Sequence, residues 1–90
     1  MSQPENRSYP PAPLSLRHCV ETSVRAYLHE LQDQPISGLH RHVMAEVEQT
    51  LIRVVIEQTS GNQSEASRIL GLTRATVRRK IREHNIFIAL

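Results

Sequence analysis

One segment decides what this chain can fold into. From Leu39 to about Thr59 the apolar residues Leu39, Val43, Met44, Val47, Leu51, Ile52, Val54, Val55 and Ile56 recur at spacings of three and four, which predicts a helix. Its length of about 22 residues corresponds to roughly 33 Å at 1.5 Å per residue. Over the last two turns apolar residues cover well over half of the circumference. A helix of that kind must be covered on more than one side. A chain of 90 residues has room for one small core and no second. The solution it points to is a two-fold homodimer in which helices of both copies share one bundle, with Val47, Leu51, Val54 and Val55 at the interface.

The flanking segments supply the other elements. Pro4, Pro10, Pro11 and Pro13 fall in residues 1–14, where fixed φ and missing N–H groups oppose helix and paired strand alike; a flexible arm is expected there. Leu16, Val20, Val24, Tyr27, Leu28 and Leu31 form one helical stripe, with Ser15 as its cap. Pro35 ends that helix, because the residue before a proline is pushed out of helical geometry. After the break at Ser60-Gly61, Asn62-Gln63-Ser64-Glu65 reads as a capped start with an acid three residues on. A short helix through Leu70 follows, then a tight exit at Gly71. Thr73 caps the last helix, Arg74 to about Glu83, with Val77 and Ile81 inward and Asn85 as terminator. With no strand alternation and no internal repeat, the fold class is all-α: four helices, residues 15–60 for dimerisation and residues 61–90 as a helix-turn-helix unit with an apolar tail.

Charge separates along the same boundary. Residues 1–60 hold five arginines against seven carboxylates, a net −2, whereas residues 61–90 hold six Lys and Arg against two Glu, a net +4. A basic end on an acidic body suggests a polyanionic partner. Aromatic residues make up 3% of the chain and Trp is absent, which argues against a surface that stacks single-stranded bases. Two short helices joined at a glycine, the second dense in arginine, match a helix-turn-helix whose second helix enters the major groove of double-stranded DNA. Ser67 is small enough to let the two approach, and Leu70, Leu72 and Val77 fill the junction. Arg74, in the first turn, can span O6 and N7 of a guanine. The hydroxyls of Thr73 and Thr76, with the N–H groups beside them, suit phosphate. Arg78, Arg79 and Lys80 point in three directions, so most of them are expected on phosphates.

At Gly61-Asn62-Gln63-Ser64-Glu65-Ala66-Ser67, and again from Leu70-Gly71-Leu72-Thr73-Arg74-Ala75-Thr76 through Val77-Arg78-Arg79-Lys80-Ile81, the chain resembles the Fis family, the factor for inversion stimulation. The similarity extends upstream through Ala45-Glu46-Val47-Glu48-Gln49 and spans roughly residues 15–86. It implies a small bacterial nucleoid-associated homodimer whose first two helices intertwine and whose last two bind DNA. It implies Asn62 and Arg74 as base-contacting residues, and Thr73, Thr76, Arg78, Arg79 and Lys80, with Gln63, as phosphate-contacting ones. Bent DNA with a narrowed central minor groove is part of the same implication, as is transcriptional regulation, with RNA polymerase or other transcription proteins as further partners.

Three features depart from the family pattern. Glu48-Gln49-Thr50 stands where the family has Glu-Gln-Pro, so no proline kinks the long helix. Tyr9-Pro10-Pro11-Ala12-Pro13 replaces a β-hairpin arm, and recombinase stimulation is therefore not carried over. Ile86-Phe87-Ile88-Ala89-Leu90 is an unusually apolar ending, expected to dock between the helix-turn-helix and the bundle, with a disordered tail as its rival.

Other chemistries find little support. Cys19 beside His18, and His40 two residues from His42, lack the tetrahedral Cys/His spacing of structural zinc. No metal, cofactor or catalytic group is expected; Cys19 reads as a core or interface filler, Tyr27 as core, and Glu46, Glu48 and Glu57 as a solvated face. The start has no signal-peptide character and no stretch approaches the roughly 20 apolar residues of a membrane span, so a cytoplasmic protein at the bacterial nucleoid, with no membrane partner, is expected. The alternatives are the carboxy-terminal DNA-binding module of an NtrC-type activator, and a dimerisation adaptor whose basic end binds acidic proteins.

Overall fold

The computed structural model describes residues 15–87. They form four helices, α1 (Leu16–Glu30), α2 (Leu39–Gln58), α3 (Gln63–Leu70) and α4 (Arg74–Glu83), and no strand occurs among them. The class is all-α, as the apolar periodicity predicts. The proline-rich arm, residues 1–14, lies outside the described residues, as do Ile88, Ala89 and Leu90 of the apolar ending.

Local chemistry sets each boundary. The Ser15 hydroxyl accepts the His18 N–H at 3.0 Å and starts α1. Gly38, at φ 74°, precedes α2 without any side-chain cap. At the other end of α2 the Gly61 N–H reaches the Ile56 carbonyl at 2.9 Å and the Ser60 N–H reaches that of Glu57 at 3.1 Å. This is the paired closure that satisfies a helix's last carbonyls through a left-handed residue, here Ser60 at φ 54°. The pattern recurs after α4, where Ile86 N–H bonds Ile81 at 3.0 Å, Asn85 N–H bonds Arg82 at 3.2 Å, and Asn85 sits at φ 53°. Asn85 is thus the terminator that the sequence suggests, and the turn it makes delivers Ile86 to the interior.

The α2, α3 and α4 helices pack on one another around Ile52, Ile56, Ala66, Val77 and Ile86, each buried, with Val55, Leu70, Leu72 and Ile81 packed on the outside of that cluster. Ile52 and Ile56 lie one turn apart, and burying each stabilises the fold by roughly 1.5–3 kcal/mol. Two expectations change. The small residue of α3 that is fully buried in the core is Ala66, whereas Ser67 stays partly exposed; Ser67 contributes its carbonyl, accepting the N–H groups of Gly71 at 2.9 Å and Leu72 at 3.1 Å. Of the apolar ending, Ile86 docks while Phe87 remains 82% exposed.

The α1 helix has no buried residue. Leu16, Val20 and Leu28 of its stripe are exposed, Tyr27 is only half-buried, and Cys19 is exposed as a free thiol, so neither Tyr27 nor Cys19 is a core residue among the described residues. On α2, Met44, Val47, Leu51 and Val54 are likewise exposed, Leu51 by 51%, whereas Val55 is half-buried against the core.

Candidate nucleic-acid interface

The interface is built on the turn between α3 and α4. Gly71 ends α3 at φ 73°, a left-handed conformation that costs an L side chain about 1–2 kcal/mol but glycine very little. No atom lies within 4 Å of where a Cβ at Gly71 would stand, so backbone conformation, not crowding, selects glycine there. Two residues on, the Thr73 hydroxyl accepts the Thr76 N–H at 3.1 Å and donates to the Thr76 hydroxyl at 2.9 Å. That cap uses one of the orphan donors of α4. The N–H groups of Arg74 and Ala75, the first two helical residues, have no partner within the helix and can serve an anion.

At the start of α3 the Asn62 side-chain oxygen accepts the Glu65 N–H at 3.1 Å. Its carbonyl is committed to the cap, which leaves the amide NH₂ as the group Asn62 can offer. The reciprocal half of the expected capping box does not form. The Asn62 N–H is already bonded to the Thr59 carbonyl at 3.0 Å, and the Glu65 carboxylate pairs with Arg68, which holds that carboxyl below its ordinary range. Gln63 is half-buried at the first position of α3.

Ion pairing sorts the basic residues of α4. Arg79 reaches Glu83 at 3.6 Å along the same helix. Lys80 is pulled inward: its ammonium lies 2.9 Å from Glu48 of α2, and its side chain is only 20% exposed. Arg74, Arg78 and Arg82 have no carboxylate partner among the described residues, and all three are exposed. They stand at i, i+4 and i+8, so they form one stripe along α4. Arg74 is further oriented by a hydrogen bond from its guanidinium to the Ser64 hydroxyl of α3 at 3.1 Å.

The same site holds two residues that the sequence does not single out for binding, Ser64 and Glu48. Arg82, which the sequence places with Arg74, Arg78, Arg79 and Lys80 on the basic outer face of the last helix, completes the unpaired stripe at a spacing of eight from Arg74. Ser64 orients Arg74 across ten positions of sequence, for which no local pattern exists. Glu48, expected on a solvated face, takes both Lys80 and the imidazole of His84, the latter at 2.8 Å. Those two hydrogen bonds, that of His84 foremost, hold its carboxyl below the usual glutamate range. Its position four residues before Ile52 and eight before Ile56, on the inward side of α2, is what the charge pattern alone concealed.

The family model described as "Bacterial regulatory protein, Fis family" matches residues 43–84, from the middle of α2 through the end of α4. A protein named "DNA-binding protein Fis" from Aliivibrio fischeri is 37% identical over 71 residues, covering 79% of this chain and 72% of the relative. The chain belongs to the Fis family. Its similarity to other members is of the same order: 38% over 71 residues to "DNA-binding protein Fis" of Vibrio atlanticus, covering 79% of this chain and 72% of that one, and 36% over 72 residues to a "Putative Fis-like DNA-binding protein" of Pseudomonas aeruginosa, covering 80% and 69%. In this Fis-family chain the matched segment holds Ile52, Ile56, Ala66 and Val77 of the core, stops short of Ile86, and contains every residue of the arginine stripe. No helix among the described residues is long and apolar enough to cross a membrane.

Proposed function

We infer that this Fis-family chain is a helix-turn-helix regulator that binds double-stranded DNA, and we propose that it does so as a homodimer that bends the duplex. The observation that carries the reading is the unpaired stripe Arg74, Arg78 and Arg82 on a helix clamped to the core by Val77. A cationic row on a rigid scaffold is the electrostatic footprint of a duplex binder. The names of the relatives, which are DNA-binding proteins, support the same reading.

Within it, Asn62 and Arg74 read bases. Arg74 comes pre-oriented by Ser64, and Asn62 donates from its amide. Thr73, Thr76, Arg78 and Arg79, with Gln63, hold phosphates, and Lys80 does so only by leaving Glu48. The exposed Val47, Leu51 and Val54, with the half-buried Val55, are the face on which a second copy packs; residues 15–60 then serve dimerisation and residues 61–90 serve DNA. Two recognition helices on one dimer couple spacing to curvature, so preference arises partly from the deformability of base pairs that are never touched. The reading places the protein at the nucleoid, assigns it no catalytic step and no cofactor, and leaves RNA polymerase or other transcription proteins as secondary partners.

Titrating the protein against a random-sequence duplex at increasing salt tests this directly. The logarithm of affinity falls linearly with the logarithm of salt concentration, by about 0.9 per phosphate neutralised, and circularly permuted duplexes migrate differently when bound. Absence of binding at low ionic strength overturns the proposal; binding with equal migration of all permutations removes the bend alone.

A further inference from the structure

Among the described residues, Glu48 is the one carboxylate with an ion pair from α2 to the DNA-facing helix. Its two oxygens are divided between two partners: Oε2 lies 2.9 Å from Lys80 Nζ and Oε1 lies 2.8 Å from His84 Nε2. Lys80 and His84 are four residues apart, one above the other on a single face of α4 and its cap. Two contacts one turn apart along the axis restrain the tilt of α4 against α2, and because both lie on one side of the helix they also oppose its rotation about its own axis.

Rotation matters because of what stands on the other side. At about 100° per residue, Arg78 and Arg82 lie roughly 160° and 200° around α4 from Lys80. The clamp therefore sits behind the stripe and aims it. The remaining charged or titratable groups around the groove that Glu48 and His84 line are His40 and Arg41 on α2 and Glu83 on α4; among the described residues neither His40, Arg41 nor Glu83 pairs with Glu48. Lys80 and His84 show 20% and 15% side-chain exposure and Glu48 37%, so the cluster is partly shielded from the solvent that makes surface ion pairs nearly neutral.

We propose that Glu48 is a specificity-determining positioning residue: by clamping Lys80 and His84 it withholds one cation from DNA phosphate and fixes the angle at which the arginine stripe meets the groove. The consequence is an exchange of general affinity for discrimination. With the clamp intact, Lys80 is a strut; with it broken, Lys80 becomes one more freely moving phosphate ligand on a helix whose orientation is less defined. This rests on the DNA-binding reading given above.

The test compares the intact protein with Glu48→Gln, an isosteric change that removes the charge. The probes are a duplex enriched from a randomised pool by the wild-type protein and the same duplex scrambled. Glu48→Gln is expected to bind the scrambled duplex more tightly, to steepen the salt slope by about one unit, as one added phosphate contact does, and to reduce the enriched-to-scrambled affinity ratio several-fold. In a Lys80→Met background, the same substitution should leave the slope unchanged, which a merely structural role for Glu48 does not predict. An unchanged ratio, an unchanged slope, or an equal slope change with Lys80 absent each overturns the proposal. Should Glu48→Gln fail to fold by circular dichroism, His84→Gln removes one anchor and keeps the lysine pair: the ratio then falls with the slope unaltered, and an unaltered ratio overturns it. If the wild-type protein binds neither duplex, the DNA-binding reading fails; if it binds both with a preference that Glu48→Gln leaves intact, only the clamp fails.

Discussion

Two stripes run along α2, one residue out of phase, and they meet opposite fates. Glu48, Ile52 and Ile56 face α3 and α4; Ile52 and Ile56 are each 1% exposed. Val47, Leu51 and Val54 face away from that core, and are 39%, 51% and 41% exposed. Both stripes carry large aliphatic residues at helical spacing, so hydrophobicity does not separate them. What separates them is where their partners reside. The inward stripe finds partners within the chain, whereas the outward stripe is left as apolar surface, the face to which the proposed function assigns the second copy. The lesson is that one core of this size uses only part of a helix that is apolar on most of its circumference.

The most severe way to break the comparison is to charge the outward stripe. Leu51→Asp in a monomeric protein would be a surface substitution worth about 0.5 kcal/mol or less. In an obligate dimer it places an unpaired carboxylate in the shared core, and no folded monomer remains. Loss of the cooperative unfolding transition is the expected outcome, with a wild-type midpoint that rises with protein concentration. A folded Leu51→Asp monomer in the ultracentrifuge would assign the outward stripe to something other than a second copy.

On the inward stripe the effect is smaller and confined to one chain. Ile56→Ala opens a cavity among Ile52, Ala66, Val77 and Ile86 and is expected to cost about 2–5 kcal/mol, read by denaturant unfolding. Because that cluster carries α4, DNA affinity falls with it at temperatures near the new midpoint and recovers on cooling. A smaller loss still, and one without a change in stability, is expected at the head of the arginine stripe: Arg74→Ala lowers preference for the best base at its position by about 1–3 kcal/mol, seen in competition titrations. Undiminished discrimination would move base reading elsewhere on the stripe.

How much of this was legible beforehand differs between the stripes. Element order, the caps at Ser15, Asn62 and Thr73, the turn at Gly71 and the terminator Asn85 all follow from residue types whose local chemistry is decisive, and the structure has them where the sequence suggests. Apolar spacing likewise names Val77, whereas the docking expected of the apolar ending holds for Ile86 and not for Phe87. Contacts across the fold were less accessible. Ala66 and Ser67 are both small, and only the register of α3 against α4 selects Ala66. Glu48 shares its charge with Glu46 and Glu57, and only the packing of α2 on α4 turns it inward to Lys80 and His84. The pairing of Arg74 with Ser64 is invisible in sequence for the same reason: it depends on the angle of the turn, and not on any spacing within one helix.

The polar end of the inward stripe offers the finest discrimination, through pH. In the folded protein Glu48 titrates below its ordinary value, chiefly because His84, and then Lys80, hydrogen-bond its charged form. A group depressed on folding contributes stability that is complete above its unfolded value, about 4.3 for a glutamate, and that vanishes as pH falls through the lower folded value. The unfolding free energy of the wild-type protein should therefore exceed that of Glu48→Gln at neutral pH, and the two should converge as acid is added below about pH 4. Val47→Ala, on the outward stripe, has no such titration to lose: at fixed protein concentration its deficit relative to wild type should stay constant across the same range. A constant gap for Glu48→Gln would mean that the amide disturbs packing rather than charge, and would take Glu48 out of the ionic link between α2 and α4.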